Sequence, residues 1–241
     1  MPDSLQQLSS SQLPGYIKVF VEVSEVLKGV VQTHPLPVQY YTGNVLYEVS
    51  NEKLIQSFDE PKVIFLAEKN QAYYFSQIGD GAILAKQEIQ MTALKEEILK
   101  QENILINWAP NKNVPHYHRV EALIHEMKES ITAPSAFKKL EELGMEAVPA
   151  IIVQMDNHHQ LPEVILALEN KSPDAFEAYR QYGPVLVVDA LAAILNQITG
   201  EHFGTIYNGG TEDERSRTVS AWKIYGMRDP AFVDARPSIG E

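Results

Sequence analysis

Cysteine is the first absence in this chain of 241 residues, because the chain has none. A protein without cysteine has no disulfide framework, no thiolate zinc site, no iron–sulfur ligation and no cysteine nucleophile. Glycine-rich phosphate-binding motifs and a G-x-S-x-G motif are also absent. We therefore expect no cofactor, and the sequence identifies no catalytic residue.

Positive charge and long apolar runs are also scarce. The chain has 20 Lys and Arg against 32 Asp and Glu, a formal net charge of −12. Nucleic acids and anionic membranes bind basic surfaces, so this balance argues against both as partners. The apolar run around Val185–Leu195 is far shorter than the roughly 20 residues of a membrane span. The charge fits a basic protein partner, although solubility alone would explain it equally well.

Residues 1–14 are polar and rich in Ser and Gln, and we interpret them as a disordered tail. They contain neither the basic region nor the apolar region of a signal peptide. The chain fits a cytoplasmic protein, or an exported one whose signal peptide has been replaced by a start Met. We favour a periplasmic or secreted location, and the absence of cysteine fits either compartment.

Residues 15–88 favour β structure. Ile17, Val19 and Val21 alternate with other residues in the period of a strand. Further strands are predicted over Val38–Thr42, Lys62–Ala67, Ala72–Ser76 and Ala82–Ala85. No helix here is long enough for a parallel crossover, so we predict an antiparallel sheet. Closure into a small barrel would remove its exposed edges.

Several short motifs accompany these strands. They are EVLKG at Glu25–Gly29, VIFL at Val63–Leu66, an aromatic return strand and the turn Gly79–Gly81. Together they resemble a recurring bacterial pattern that looks like the OB-type barrel of netrin-like or tissue-inhibitor-of-metalloproteinase-like domains. The chain lacks the cysteines that anchor the animal members, so their inhibitory mechanism does not carry over. An unrelated small barrel or sheet is the alternative.

Residues 89–226 show helical periodicity and form the predicted second domain, followed by an irregular tail at 227–241. The fold class is therefore α+β, with an N-terminal OB-like antiparallel barrel and a C-terminal helical domain. The run from Val185 to Thr199 is apolar on all sides, which predicts a central helix. The other predicted helices run to about residue 102 and over 116–130, 134–143, 146–155, 162–168, 174–182 and 212–225.

Two motifs in this half resemble HEAT-like repeats of the phycobilisome-lyase type. The first is LEELGMEAVPAIIVQM at Leu140–Met155, with a Leu-Gly pair and Ala-Val-Pro-Ala before an apolar helix. The second is VDALAAILNQITGEHFG at Val188–Gly204, followed by AWKIY at Ala221–Tyr225. The resemblance covers about residues 133–226 and implies two or three helix pairs, a number near the minimum for a continuous core.

Two tyrosine doublets are the candidate interface. Tyr40, Tyr41, Tyr73 and Tyr74 lie on predicted strands, where neighbouring residues point to opposite faces. One ring of each pair should therefore lie outside the core, either on the surface or beneath another domain. Alternate rings filling a barrel core are the other interpretation.

Histidines offer a weaker candidate site. His116, His118 and His125 could supply nitrogen ligands to zinc. No carboxylate follows at a diagnostic spacing, and His125 begins HEMKE rather than HExxH. Ordinary surface or capping roles are the favoured interpretation, so no metal is predicted.

Asp189 is the one carboxylate placed inside the apolar helix. A buried charge must be paired, and Arg215 or Arg217 is the expected partner.

We predict a non-enzymatic protein-binding module. The alternative is an enzyme or small-ligand binder with a site between the two halves, around Tyr73, His118 and Asp189. An acidic inhibitor-like or toxin-neutralising protein is a third hypothesis.

Overall fold

The computed structural model of the chain describes residues 16–21, 23, 25–29, 36–41, 62–64, 66–69, 72–75, 83–85, 88–170 and 177–228. The chain divides into two compact units, residues 1–100 and 101–241. Within the described residues, no helix combines the length and apolar character needed to cross a membrane.

The first unit is built on short strands. They are β1 (Tyr16–Val21), β2 (Leu36–Tyr41), β3 (Lys62–Ile64), β4 (Leu66–Lys69), β5 (Ala72–Phe75) and β6 (Ile83–Ala85). Four of them form a sheet in the order β1-β2-β5-β4, while β3 and β6 form a separate antiparallel pair. Strands β4 and β5 pair antiparallel, with Leu66 opposite Phe75. The single strand predicted over Lys62–Ala67 is divided between β3 and β4, which belong to different sheets.

The predicted OB-like barrel is wrong. Among the described strands, β1 pairs only with β2 and β4 pairs only with β5, so the four-stranded sheet is open. The sheet is also not purely antiparallel, because β2 and β5 run parallel, with Val38 opposite Tyr73. A parallel pair needs a long connection between its strands. The described part of this connection carries β3 and β4, and the sequence argument had considered only helical crossovers.

A long helix follows the strands. Helix α1 (Glu88–Ile106) extends four residues beyond the predicted end at about residue 102. On its surface Lys95 donates to the Glu25 carboxylate over 2.7 Å. Both side chains are exposed, so this ion pair contributes little to stability.

The second unit has a helical core. Its helices are α2 (Tyr117–Met127), α3 (Ala133–Glu142), α4 (Val148–Val153), α5 (Val187–Thr199) and α6 (Glu212–Arg228), with a 3-10 turn at Met145–Ala147. Pro134 lies in the first turn of α3, where its missing N–H costs nothing. Gly200 ends α5 in the left-handed conformation, at φ 76°. Every residue of α5 from Val187 to Leu195 is buried, as the all-round apolar sequence predicted.

The helices predicted over 162–168 and 174–182 are wrong. A hairpin of β7 (Leu166–Glu169) and β8 (Tyr179–Tyr182) occupies their described parts, with Leu166 opposite Tyr182. In β7, Leu166 and Leu168 are buried while Ala167 and Glu169 are exposed. This two-residue alternation is the pattern of a strand with one buried face. The second unit is therefore not the purely helical domain that was predicted.

Candidate functional site

A buried ion pair joins the beginnings of α5 and α6. Asp189 is fully buried, and Arg215 donates to its carboxylate through Nε over 2.8 Å and Nη2 over 2.9 Å. The Asp189 carboxylate also accepts the backbone N–H groups of Val185 and Leu186. Hydrogen bonding to Asp189 raises the pKa of Arg215 and keeps its guanidinium charged. Four donors therefore surround this carboxylate, which indicates a structural role.

The sequence left two partners open for Asp189, and the structure selects Arg215. Arg217, the other expected partner, lies on the surface of α6 and donates to Asp213 one helical turn earlier, over 3.2 Å. Two arginines that look equivalent in the sequence thus occupy different environments. The helix period separates them, since residues two apart on a helix face different directions.

The loop between α5 and α6 is held at both ends. At the start of α6, Thr211 and Glu214 form a reciprocal capping box, with Thr211 N donating to the Glu214 carboxylate and Glu214 N donating to Thr211 Oγ1. Near the other end, a Cβ on Gly204 would collide with Thr218 Oγ1. Only glycine permits this close approach of the loop to α6.

The same loop holds the end of the β7–β8 hairpin. Asn208 accepts a hydrogen bond from Gly183 N over 2.8 Å. The ring of Tyr207 meets the ring of Tyr182 edge-on at 6.0 Å between centroids, and the ring centroid of Phe137 of α3 lies 5.8 Å from that of Tyr182. Tyr182 thus anchors β8 between a helix and a loop.

Arg180 affects the ionisation of Tyr182. Burial raises the pKa of Tyr182, and the nearby positive charge of Arg180 partly opposes that rise. Arg180 itself is exposed.

The outer surface of the hairpin is exposed and partly apolar. We define the hairpin face as Ile165, Ala167, Glu169, Tyr179 and Gln181, all of which are exposed. Tyr179 is 62% exposed and Ile165 is 71% exposed. Tyrosine is among the residues enriched at the centres of protein–protein interfaces.

Sequence reasoning missed this surface because it predicted a helix there. The signal that could have found it is the alternation in Leu166–Glu169, followed by Tyr179–Tyr182 with its two tyrosines. A polar segment containing Pro173 separates the two runs. Two short runs joined by such a segment are typical of a hairpin.

An aromatic cluster lies at the other end of α6. Trp222 contacts Phe203 at 4.7 Å and Tyr225 at 5.4 Å between ring centroids. Lys223 donates to both carboxylate oxygens of Asp156 over 2.8 Å and lies 5.5 Å from the centre of the Trp108 ring. Val219 and Trp222 are buried and Tyr225 is half-buried, so these aromatics belong to the core rather than to an open site.

The histidine candidates do not converge. His116 Nε2 lies 3.3 Å from Glu146 Oε2. His118 Nδ1 lies 3.6 Å from Glu121 Oε2 on the surface of α2. His125 is exposed on the same helix. Within the described ranges, no group of three or more His, Asp or Glu side chains could hold a metal ion. His116 has φ 61°, a left-handed conformation that is unusual for a residue other than glycine.

The tyrosine doublets lie on neighbouring strands of the first unit. Tyr40 and Tyr41 end β2, opposite Ile17 and Tyr16 of β1. On the other side of β2, the register sets Val38 beside Tyr73 and Gln39 beside Tyr74. The two doublets therefore lie on paired strands of one sheet. Their role as an interface stays a prediction.

Comparison with known proteins found no match to a family model, a curated protein or a solved structure. The HEAT-like and netrin-like resemblances of the sequence therefore stay predictions.

Proposed function

We propose that this chain is a non-enzymatic protein-binding module whose second unit binds a partner through the hairpin face. The observation that carries the proposal is the exposure of Tyr179, which is 62% exposed on an otherwise anchored hairpin. Tyrosine and arginine are the side chains that, with tryptophan, most often dominate binding energy at interfaces. Tyr179 supplies such a side chain on the hairpin face, while Arg180, the next residue of the strand, lies on the opposite face.

The support beneath the hairpin favours binding. Leu166 and Leu168 are buried against the core, and Tyr182 is fixed between Phe137 and Tyr207. A surface that is already ordered loses little conformational entropy when a partner arrives. The exposed aromatic ring therefore rests on a rigid base.

Charge gives the class of partner. The net charge of −12 attracts basic proteins at long range and increases their association rate. We therefore propose a partner that is basic overall. Raising the salt concentration should slow its association, because salt screens charges separated by more than about 10 Å.

Site-specific photo-crosslinking tests the proposal. A photoreactive phenylalanine analogue is placed at position 179 or 165 of the whole chain, and in the control at position 118, because the His118 side chain is 90% exposed on α2. In an extract of the cells that make the protein, we expect a defined adduct from positions 179 and 165 and none from 118. Adducts of equal yield from all three positions, or from none, would contradict the proposal.

The chemical alternative around Tyr73, His118 and Asp189 is not part of this proposal. The Asp189 carboxylate is fully buried and already accepts four hydrogen bonds, from Arg215 and two backbone N–H groups. A carboxylate with these partners is not free to bind a substrate or transfer a proton.

A further inference from the structure

We propose that the outer edge of β8 accepts an extended segment of a basic partner protein as a third strand, with a carboxylate of that segment beside Arg180. The inference rests on the proposed function and specifies its mode of binding. Adding a strand to an exposed edge is a common way for proteins to bind peptides, since main-chain hydrogen bonds supply the affinity.

The pairing of β7 with β8 shows which backbone groups face outward. Asn170 N donates to Ala178 O over 2.8 Å, so residues 170 and 178 form a hydrogen-bonded pair. Bonded and non-bonded pairs alternate in an antiparallel ladder. Leu168 with Arg180 is therefore the next bonded pair, and the N–H and C=O groups of Tyr179 and Gln181 point away from β7.

The other outward groups near this edge have partners. Gly183, the next outward residue after Gln181, donates its N–H to Asn208. On the far edge of the hairpin, Gln197 of α5 donates to Glu169 O over 2.6 Å. Among the described residues, no hydrogen bond takes the outward backbone groups of Tyr179 or Gln181. Proteins generally cover open edges, so a two-residue opening beside an exposed tyrosine indicates a docking position.

The positive charge of Arg180 at the β8 edge indicates which side chains the partner segment should carry. Arg180 lies between the two open residues, and its side chain is exposed. A carboxylate directly opposite Arg180 would form a favourable cross-strand pair. The remainder of the segment should be basic, because the whole chain carries a charge of −12.

A second copy of this chain is a poor occupant. To use both open residues, two antiparallel β8 strands would pair Tyr179 of one copy with Gln181 of the other. That arrangement sets the two Arg180 residues directly opposite each other, and like charges in that position are destabilising. Each copy also carries the same net negative charge.

The experiment uses the whole chain and a synthetic peptide, Lys-Thr-Val-Glu-Val-Thr-Lys, which is extended, basic overall and has one carboxylate. We expect a Kd below about 1 mM and slower amide hydrogen exchange at Tyr179 and Gln181 on binding. A peptide with Lys in place of Glu should bind about tenfold more weakly, and Arg180→Glu should reverse this preference. A peptide methylated on the backbone nitrogens that face β8 should not bind.

Gln181→Pro is the matched test in the protein. It removes an outward N–H and leaves the bonds of residues 180 and 182 to β7 intact, and proline is tolerated at such edge positions. We expect at least about tenfold weaker peptide binding. Gln181→Thr, which keeps the N–H, should bind like the unmodified chain. If Gln181→Pro does not fold, the methylated peptide gives the same information.

Several results would overturn the inference. They are an absence of peptide binding, equal binding by Gln181→Pro and Gln181→Thr, preference for the Lys peptide, or a dimer formed through β8 in sedimentation. Failure of the inference is separable from failure of the proposed function. If crosslinking at position 179 persists unchanged in Gln181→Pro, the hairpin binds a partner by its side chains alone. If no crosslink forms at any position, the function itself is wrong.

Discussion

Substitutions at Arg215 and Arg217 compare how much a buried and an exposed ion pair contribute to the free energy of unfolding. Arg215→Ala would leave the Asp189 carboxylate buried and without its cation, so we expect a loss of about 3–5 kcal/mol in the free energy of unfolding. Arg217→Ala removes an exposed pair with Asp213 and should cost at most about 1 kcal/mol. Urea denaturation of both variants measures the difference, and similar losses would contradict the structural role of Asp189.

Tyr182 makes stability depend on alkaline pH. Burial raises the pKa of its phenol above the unfolded value of about 10. Below that value the phenol is protonated in both states. As pH rises above it, the unfolded chain loses the proton first, so the free energy of unfolding falls.

Tyr182→Phe should remove the part of the decrease in the free energy of unfolding at alkaline pH that Tyr182 causes. We expect the denaturation midpoint of the variant to fall less between pH 9 and pH 11 than that of the unmodified chain. Tyr179→Phe is the control, because Tyr179 lies exposed on the same strand. Equal pH profiles for the two variants would show that Tyr182 is not the responsible group.

At the scale of the element, Gly204 fixes the α5–α6 loop against α6. In Gly204→Ala the new Cβ would collide with the hydroxyl of Thr218, which is buried and donates to Glu214 O over 2.8 Å. We expect a loss of about 1–3 kcal/mol in the free energy of unfolding. Gly183→Ala is the control, since its Cβ would meet only Asn208 Oδ1 at 3.9 Å.

A double-mutant cycle identifies the contact. Thr218→Ala removes the hydroxyl that obstructs the new Cβ, so Gly204→Ala should cost less in that background than alone. Additive losses would show that Thr218 is not the obstacle.

The elements that the sequence predicted are those with a strong single period. Helices α2, α3, α5 and α6 were predicted within a few residues, because each buries one stripe or, in α5, every side. The β7–β8 hairpin was missed because its strands have four residues each, too few to separate a two-residue period from a helical one. The hairpin face was therefore missed as well, because a helix would have placed these residues on different faces.

At the scale of the whole molecule, the two units differ in how far sequence could describe them. Strands β1 and β2, and strands β4 and β5, are neighbours along the chain and pair with each other. The parallel pair β2 with β5 joins residues that are distant in the chain, and no local pattern encodes such a pairing. The barrel was predicted because closing a sheet removes its unpaired edge strands. The observed sheet is open, so this prediction is wrong.

The second unit should fold without the first. The principal core cluster extends from Tyr117 to Trp222, entirely within residues 101–241. A domain with its own core can fold alone. We expect the fragment 101–241 to unfold cooperatively in urea, with amide exchange protection in α5 like that of the whole chain. A gradual transition, or loss of that protection, would show that the core depends on residues 1–100.

The indole groups give this unit its own optical reporter. The chain has two tryptophans, Trp108 and Trp222, and both lie in the second unit. Neither buried indole N–H has an acceptor among the described residues. Emission excited at 295 nm therefore arises from the second unit alone and should be blue-shifted, as expected for indoles shielded from water. Titrating a partner while following this emission would separate events in the second unit from those in the first, with no label attached.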